Sequence, residues 1–104
     1  MDIERLRNLL GNDENMVERF LDIFQNQVPQ ELANLENAIA DENWNAVSNI
    51  AHGIKSQVNY LDLNQIADLA YEIERNAEFE ENLGEMSSLF RDLNSELSAV
   101  ISGL

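Results

Sequence analysis

The chain has 104 residues, of which 44% are hydrophobic and 25% are charged, and this composition is typical of a globular protein with one domain over residues 1–104. The formal net charge of −14 argues against nucleic acids and anionic membranes as partners, because both are bound largely through Lys and Arg. The chain has no cysteine and one histidine, which excludes a disulfide framework and argues against a structural zinc site.

The sequence also lacks the patterns of export, membrane insertion and nucleotide binding. The N-terminus has no basic start followed by an apolar run, and no apolar stretch approaches about 18 residues. We therefore expect a cytoplasmic protein. Neither of the glycine-rich loops that cradle phosphates is present, so we do not expect this chain to bind ATP and phosphorylate itself.

Two helices are predicted in the first 40 residues. Residues 1–10 carry an apolar stripe that Gly11 ends as a C-cap glycine, and Asn12 resembles the N-cap of the next helix. The second helix follows a long apolar pattern made of Met16, Val17, Phe20, Leu21, Phe24, Val28, Leu32, Leu35 and Ile39. Pro29 lies inside this pattern, where it removes one backbone hydrogen bond. Because the stripe stays in phase on both sides, we predict one kinked helix, with two shorter helices as the alternative.

A third helix is predicted over residues 43–61, with Asn43 as its cap. Its apolar positions recur at the spacing of a buried face and are Trp44, Val47, Ile50, Ala51, Ile54, Val58 and Leu61. At about 100° per residue, His52 falls about 160° from Ile54, on the opposite side of the helix. We therefore expect the imidazole to point to solvent.

Two further helices complete the chain. Asp62 and Gln65 have the spacing of a capping box. The helix they open is expected to bury Leu63, Ile66, Leu69, Ala70, Ile73 and Ala77. An acidic turn at 78–82 precedes the last helix, and Gly103 lies too near its end to interrupt it. The apolar residues of the last helix are spaced as in a helical bundle and are Leu83, Met86, Phe90, Leu93, Leu97, Val100 and Leu104.

Four long amphipathic helices joined by short turns must alternate in direction. The sequence therefore predicts an all-α fold, an antiparallel up-down-up-down four-helix bundle with a short N-terminal helix.

The third helix is unusual in its charge. It contains the only His, His52, and the only Lys, Lys55, but no Asp or Glu, although a stretch of this length would carry about four acids at the average frequency of this chain. A neutral imidazole is a good nucleophile near pH 7. A phosphoryl group on it would be negatively charged, and Lys55, one helical turn away, would stabilise it. We expect no carboxylate to crowd His52, because acids would repel both the phosphoryl group and its donor.

At these residues the chain resembles a known family. The run AHGIKS at 51–56, followed by Tyr60 and Leu61, is similar to the A-H-x-L-K-G motif of histidine-containing phosphotransfer (HPt) domains, the helical phosphocarriers of phosphorelays. The segments 41–44 and 66–74 also follow the pattern of that family. Ser56 stands where the family usually has Gly, and Asp62 stands where a second Gly often occurs.

The resemblance implies that His52 accepts and donates a phosphoryl group in two-component signal transduction. The expected partners are receiver domains of response regulators and a hybrid sensor histidine kinase, and the chain is expected to be a monomer. The receiver is expected to supply Mg²⁺, so that this chain binds no cofactor or metal and is a phosphocarrier, not an enzyme. Lys55 would stabilise the phosphoryl charge, and the candidate partner contacts are Ser48, Gly53, Ser56 and Asn59.

Two alternatives stay open at this point. The chain could be an HPt-like interaction module without phosphotransfer, for which Ser56 in place of Gly is the best support. It could also be a structural bundle that self-associates through its last helix. At Gly53, the missing side chain either lets a partner approach His52 or is a tolerated surface substitution.

Overall fold

The structure, a computed structural model, describes all 104 residues and is entirely helical. The five α-helices are α1 (Ile3–Leu9), α2 (Glu14–Ala40), α3 (Trp44–Tyr60), α4 (Asn64–Phe79) and α5 (Met86–Ser102). A single 3-10 turn at Leu83–Glu85 leads into α5. The predicted all-α class is confirmed. No helix combines the length and the apolar character that crossing a membrane requires.

Side-chain caps begin the first three helices. The carboxylate of Asp2 accepts from the backbone N–H of Arg5 at 2.9 Å, and the amide oxygen of Asn43 accepts from that of Ala46 at 3.2 Å. The Asn43 cap is confirmed. The Asn12 cap is wrong by one residue: Asn12 has a φ of 62°, in the left-handed region that Asn tolerates, and Asp13 caps α2 instead.

The predicted capping box at the start of α4 is also wrong. Asp62 has a φ of 58° and lies before the N-cap position, which Leu63 occupies without a side-chain hydrogen bond. The Asp62 carboxylate lies instead 3.8 Å from the guanidinium of Arg5 in α1. Asp62 does not cap α4 because it forms the left-handed turn that ends α3, in which the backbone N–H of Leu63 donates to the carbonyl of Val58 at 3.1 Å.

Helix α2 continues through Pro29 as one element, so the alternative of two shorter helices is wrong. Pro29 lies on the exposed side of the helix. Solvent can there satisfy the carbonyl that the missing N–H leaves without a donor.

The core consists of twenty buried residues, all hydrophobic, and every helix contributes to it. Its largest members include Leu6, Phe24, Leu35, Ile54, Ile73 and Leu93. Two residues expected in the core are not part of it: Met16 is 50% exposed, and Leu104, 42% exposed, lies beyond the end of α5 at Ser102. Ten further predicted core residues are only partly buried and pack at its edge, namely Phe20, Leu21, Ile39, Trp44, Ile50, Leu63, Leu69, Leu83, Phe90 and Val100.

The four long helices contact one another in a ring, and α3 lies between two neighbours in it. α3 contacts both α2 and α4, α4 contacts α5, and α5 contacts α2, while the short α1 packs against α2 and α3. The outer face of α3 is therefore flanked by α2 on one side and by α4 on the other.

Candidate functional site

His52 projects from the middle of α3 into solvent. The apolar residues before and after it, Ala51 and Ile54, are fully buried and fix the rotation of the helix about its axis. The side chain of His52 is 61% exposed. The predicted outward orientation of the imidazole is confirmed.

A carboxylate from the neighbouring helix contacts both His52 and Lys55. Glu74 of α4 places Oε2 at 2.8 Å from Nδ1 of His52, and Oε1 at 2.7 Å from Nζ of Lys55. Glu74 is only 15% exposed, so these contacts form at the edge of the core. One carboxylate thus joins the only His and the only Lys of the chain.

The expectation that no carboxylate lies close to His52 is therefore wrong. It rested on α3 alone, which carries no acid, whereas packing of α4 against α3 brings Glu74 to the imidazole. One sequence signal could have found it. Glu74 directly follows the buried Ile73 and lies one turn after the buried Ala70, at the boundary of the apolar stripe where an acid requires a partner.

The environment of Glu74 favours its ionised form. Partial burial alone would raise the pKa of the carboxyl, but the hydrogen bonds from Lys55 and His52 and their charges outweigh it and hold the pKa below the ordinary glutamate value. The carboxylate is therefore a permanent acceptor at neutral pH.

This acceptor determines the chemistry of the two ring nitrogens. A carboxylate only accepts hydrogen bonds, so the imidazole must carry its proton on Nδ1 to donate to Glu74. In the neutral ring the lone pair then lies on Nε2, which has no hydrogen-bond partner in the protein. An exposed, unprotonated ring nitrogen with a fixed tautomer is suited to nucleophilic attack.

Lys55 is held more firmly than an ordinary surface lysine. Its side chain is 22% exposed, and besides the bond to Glu74 its ammonium lies 5.1 Å from the centre of the Tyr71 ring. Such a cation–π contact adds to the ion pair. An ammonium group has three N–H donors, so the Lys55 ammonium can pair with Glu74 and still donate to a second anion. Tyr71 was not among the site residues expected from the sequence.

Three of the four expected partner contacts surround His52 on the helix. Ser48 precedes it by four residues, Gly53 is adjacent, and Ser56 donates from Oγ to the backbone carbonyl of His52 at 3.1 Å. Asn59 lies two turns further along, where it lines an open cavity together with Arg5, Leu9, Ser56 and Tyr60. A Cβ added to Gly53 would meet no atom within 4 Å, so nothing inside this protein requires glycine there.

A second polar contact joins α3 to α2 on the other side of the site. The amide nitrogen of Gln57 donates to both carboxylate oxygens of Glu31, at 2.8 and 3.1 Å. With the Glu74 contacts, it ties the outer face of α3 to both neighbours. No group of three or more His, Cys, Asp or Glu side chains is arranged to hold a metal ion.

The comparison with protein families agrees with this geometry. The family model described as Hpt domain matches residues 19–103, a range that includes all of α3, α4 and α5 and most of α2 but not α1. No match was found among curated proteins or among solved structures. Hpt domains are phosphocarriers of phosphorelays and not kinases. The chain belongs to the Hpt domain family.

Proposed function

We propose that this protein carries phosphoryl groups on His52 and exchanges them with aspartates of response-regulator receiver domains. The observation that carries the proposal is the exposed imidazole whose Nδ1 bonds to Glu74, because this contact leaves Nε2 free to react. Membership of the Hpt family supports the same reaction.

The transfer step follows from that arrangement. Nε2 attacks the phosphorus of an aspartyl phosphate in the partner, so that an N–P bond forms while the P–O bond to the aspartate breaks. The aspartate leaves as a carboxylate, and the imidazole becomes a cation that keeps its proton on Nδ1. Glu74, at 2.8 Å from Nδ1, stabilises this cation. Attack by another aspartate on the phosphorus reverses the step and restores the neutral ring.

Lys55 is placed to stabilise the charge of the phosphoryl group. It follows His52 by three residues, on the same side of the helix, and its ammonium keeps donors beyond the one used by Glu74. Ser48, Gly53, Ser56 and Asn59 are proposed to contact the partner. The receiver is proposed to supply Mg²⁺, while this chain binds neither a metal nor a cofactor.

The arrangement of the helices is also a proposal. Short connections between α2, α3, α4 and α5 and the closed order of their contacts support an antiparallel four-helix bundle in a single domain. We further propose a cytoplasmic monomer, and a hybrid sensor kinase as a source of the receiver domain.

A transfer assay tests the function. Receiver domains labelled on their aspartate are mixed with wild-type protein and with His52→Ala, and label transfer is followed over time. We expect wild type to become labelled in an acid-labile form and His52→Ala to remain unlabelled, while circular dichroism shows that the variant is still folded. Equal labelling of both proteins would contradict the assignment of His52. Receiver binding without any phosphohistidine would favour an interaction module instead.

A further inference from the structure

Lys55 has two partners on α4, and only one of them is charged. The Glu74 carboxylate accepts from the ammonium at 2.7 Å, and the centre of the Tyr71 ring lies 5.1 Å from the same nitrogen. Tyr71 precedes Glu74 by three residues, so both side chains project from one side of α4. The ammonium therefore lies between an anion and the face of an aromatic ring.

Tyr71 does not belong to the core of the protein. It is 51% exposed, whereas the nearby Ala70 and Ile73 of the same helix are fully buried. The packing of α4 against the other helices therefore does not explain an aromatic side chain at this position. The cation beside the ring does, because Lys55, the only lysine of the chain, is itself only 22% exposed.

An aromatic ring holds a cation without neutralising it. The face of the ring attracts the ammonium through its quadrupole, although the ring carries no net charge. A second carboxylate in place of Tyr71 would also hold Lys55, but it would repel a phosphoryl group arriving at His52 and compete for the ammonium N–H donors. The ring leaves both the positive charge and the remaining donors available.

The ring contact also allows the ammonium to move. Glu74 divides its two carboxylate oxygens between His52 and Lys55, and a phosphoryl group on the imidazole would attract the ammonium away from this acid. A ring attracts a cation over its whole face, within about 6 Å of its centre, and imposes no single hydrogen-bond direction. The ammonium can therefore turn towards the phosphoryl group and keep its contact with Tyr71.

We propose that Tyr71 is a positioning residue for the phosphorylation of His52, and that its ring keeps the Lys55 ammonium beside the imidazole and available to the phosphoryl group. The inference rests on the proposed function, since it concerns the reaction of His52. Two consequences follow from the contact. The ring face of Tyr71 matters and its hydroxyl does not, and Tyr71 acts only through Lys55.

Rates of His52 phosphorylation in matched variants test the role of the ring. The donors are a labelled receiver and phosphoramidate, a small molecule that transfers its phosphoryl group without docking. Tyr71→Leu keeps apolar bulk but has no ring face, and we expect it to react about two- to fivefold more slowly, the equivalent of one exposed cation–π contact. Tyr71→Phe is expected to restore the wild-type rate.

Phe79→Leu is the matched control for these rates. Phe79 lies eight residues beyond Tyr71 on α4, and its ring centre is 5.8 Å from the guanidinium of Arg75. The substitution thus removes a similar contact from the same helix, and we expect the wild-type rate. Equal losses in Tyr71→Leu and Phe79→Leu, or in Tyr71→Leu and Tyr71→Phe, would overturn the proposal.

A double-mutant cycle and NMR show whether Tyr71 acts through Lys55. In a Lys55→Met background we expect Tyr71→Leu to cause no further loss of rate, since effects that share one contact are not additive. The same fractional loss in both backgrounds would overturn the proposal. With one lysine in the chain, ¹³C-labelled lysine gives one set of side-chain signals. Their ring-current shift should disappear in Tyr71→Leu and persist in Tyr71→Phe.

The two donors separate this inference from the proposed function. If phosphoramidate phosphorylates His52 at a rate that depends on the Tyr71 ring, but no receiver does, the positioning role stands and the function is wrong. If receivers phosphorylate the wild type, but Tyr71→Leu reacts at the wild-type rate with both donors, the function stands and the positioning role is wrong. A wild-type His52 that neither donor phosphorylates would overturn both.

Discussion

At the scale of single residues, the hydrogen bond between Glu74 and Nδ1 decides which nitrogen of His52 is left without a partner in the protein. The bond fixes the proton on the ring nitrogen nearer the helix and leaves the other one exposed to solvent. The same carboxylate holds Lys55, so a single acid positions both the proposed nucleophile and the nearest cation. We regard Glu74 as a positioning residue, since it acts through His52 and Lys55.

Replacing this acid tests its role. In Glu74→Gln the amide can donate as well as accept, so it no longer fixes the tautomer, and it lacks the charge that stabilises the imidazolium. We expect phosphotransfer to slow about 10- to 100-fold, by analogy with the loss seen when the hydrogen-bond partner of a metal-bound histidine is removed. Glu78→Gln is the matched control, because Glu78 is exposed and lies one turn further along α4. Equal rates for Glu74→Gln and Glu78→Gln would refute the positioning role.

The lowered pKa of Glu74 predicts a pH dependence of stability. The unfolded chain has the ordinary glutamate pKa of about 4.3, and the folded protein has a lower one. Between these values the unfolded state binds more protons, so the stabilisation is complete above about pH 4.3 and is lost as the pH falls through the folded pKa. We expect the difference in free energy of unfolding between wild type and Glu74→Gln to shrink over this interval. Urea unfolding from pH 7 to pH 3 measures it, and a difference independent of pH would contradict the assignment.

Residue-level predictions from the sequence succeeded where one helix alone decides the outcome. The exposure of His52 follows from the phase of the apolar positions in α3. Glu74 and Tyr71 were missed because they belong to another helix, and the spacing within α3 says nothing about what α4 brings to it. Met16 was misassigned because its spacing in α2 fits the apolar stripe, although its side chain is 50% exposed.

At the scale of helices, α3 carries a glycine in its interior without a packing reason for it. Gly53 has helical geometry and free space around the missing Cβ. We expect Gly53→Ala to stabilise the protein by about 0.5–1 kcal/mol, because alanine loses less backbone entropy on folding. Chemical denaturation measures the change, and a loss of stability would show a constraint that the structure does not contain. Slower phosphotransfer in this more stable variant would identify clearance for the partner as the reason for glycine.

Helix boundaries show how far local rules determine the structure. Asn43 caps α3 as its chemistry predicts. At the start of α2, Asn12 and Asp13 are both good caps, and the turn after Gly11 requires a left-handed residue, which Asn12 provides. Asp62 does not cap α4 because it is the left-handed residue that closes α3, where the backbone N–H of Leu63 donates to the carbonyl of Val58.

At the scale of the whole molecule, once the bounds of the five helices are known, few arrangements of the helices are possible. Apolar stripes predicted each long helix, and the short connections bring successive helices into contact. The position of the short α1 could not be predicted in the same way, since seven residues carry only one buried side chain, Leu6. Its place beside α3 depends on Leu6, on the Arg5–Asp62 pair and on a backbone bond from Asp2 to Leu61. That place brings Leu9 to the open cavity that Ser56, Asn59 and Tyr60 of α3 also line.

The most direct test of the whole account is nitrogen NMR of the single imidazole in uniformly ¹⁵N-labelled protein, before and after phosphorylation by a receiver. With one histidine in the chain, every imidazole signal belongs to His52. We predict a resting ring protonated on Nδ1 and, after transfer, a phosphoryl group bonded to Nε2. A phosphoryl group on Nδ1, or a resting tautomer with its proton on Nε2, would contradict the account.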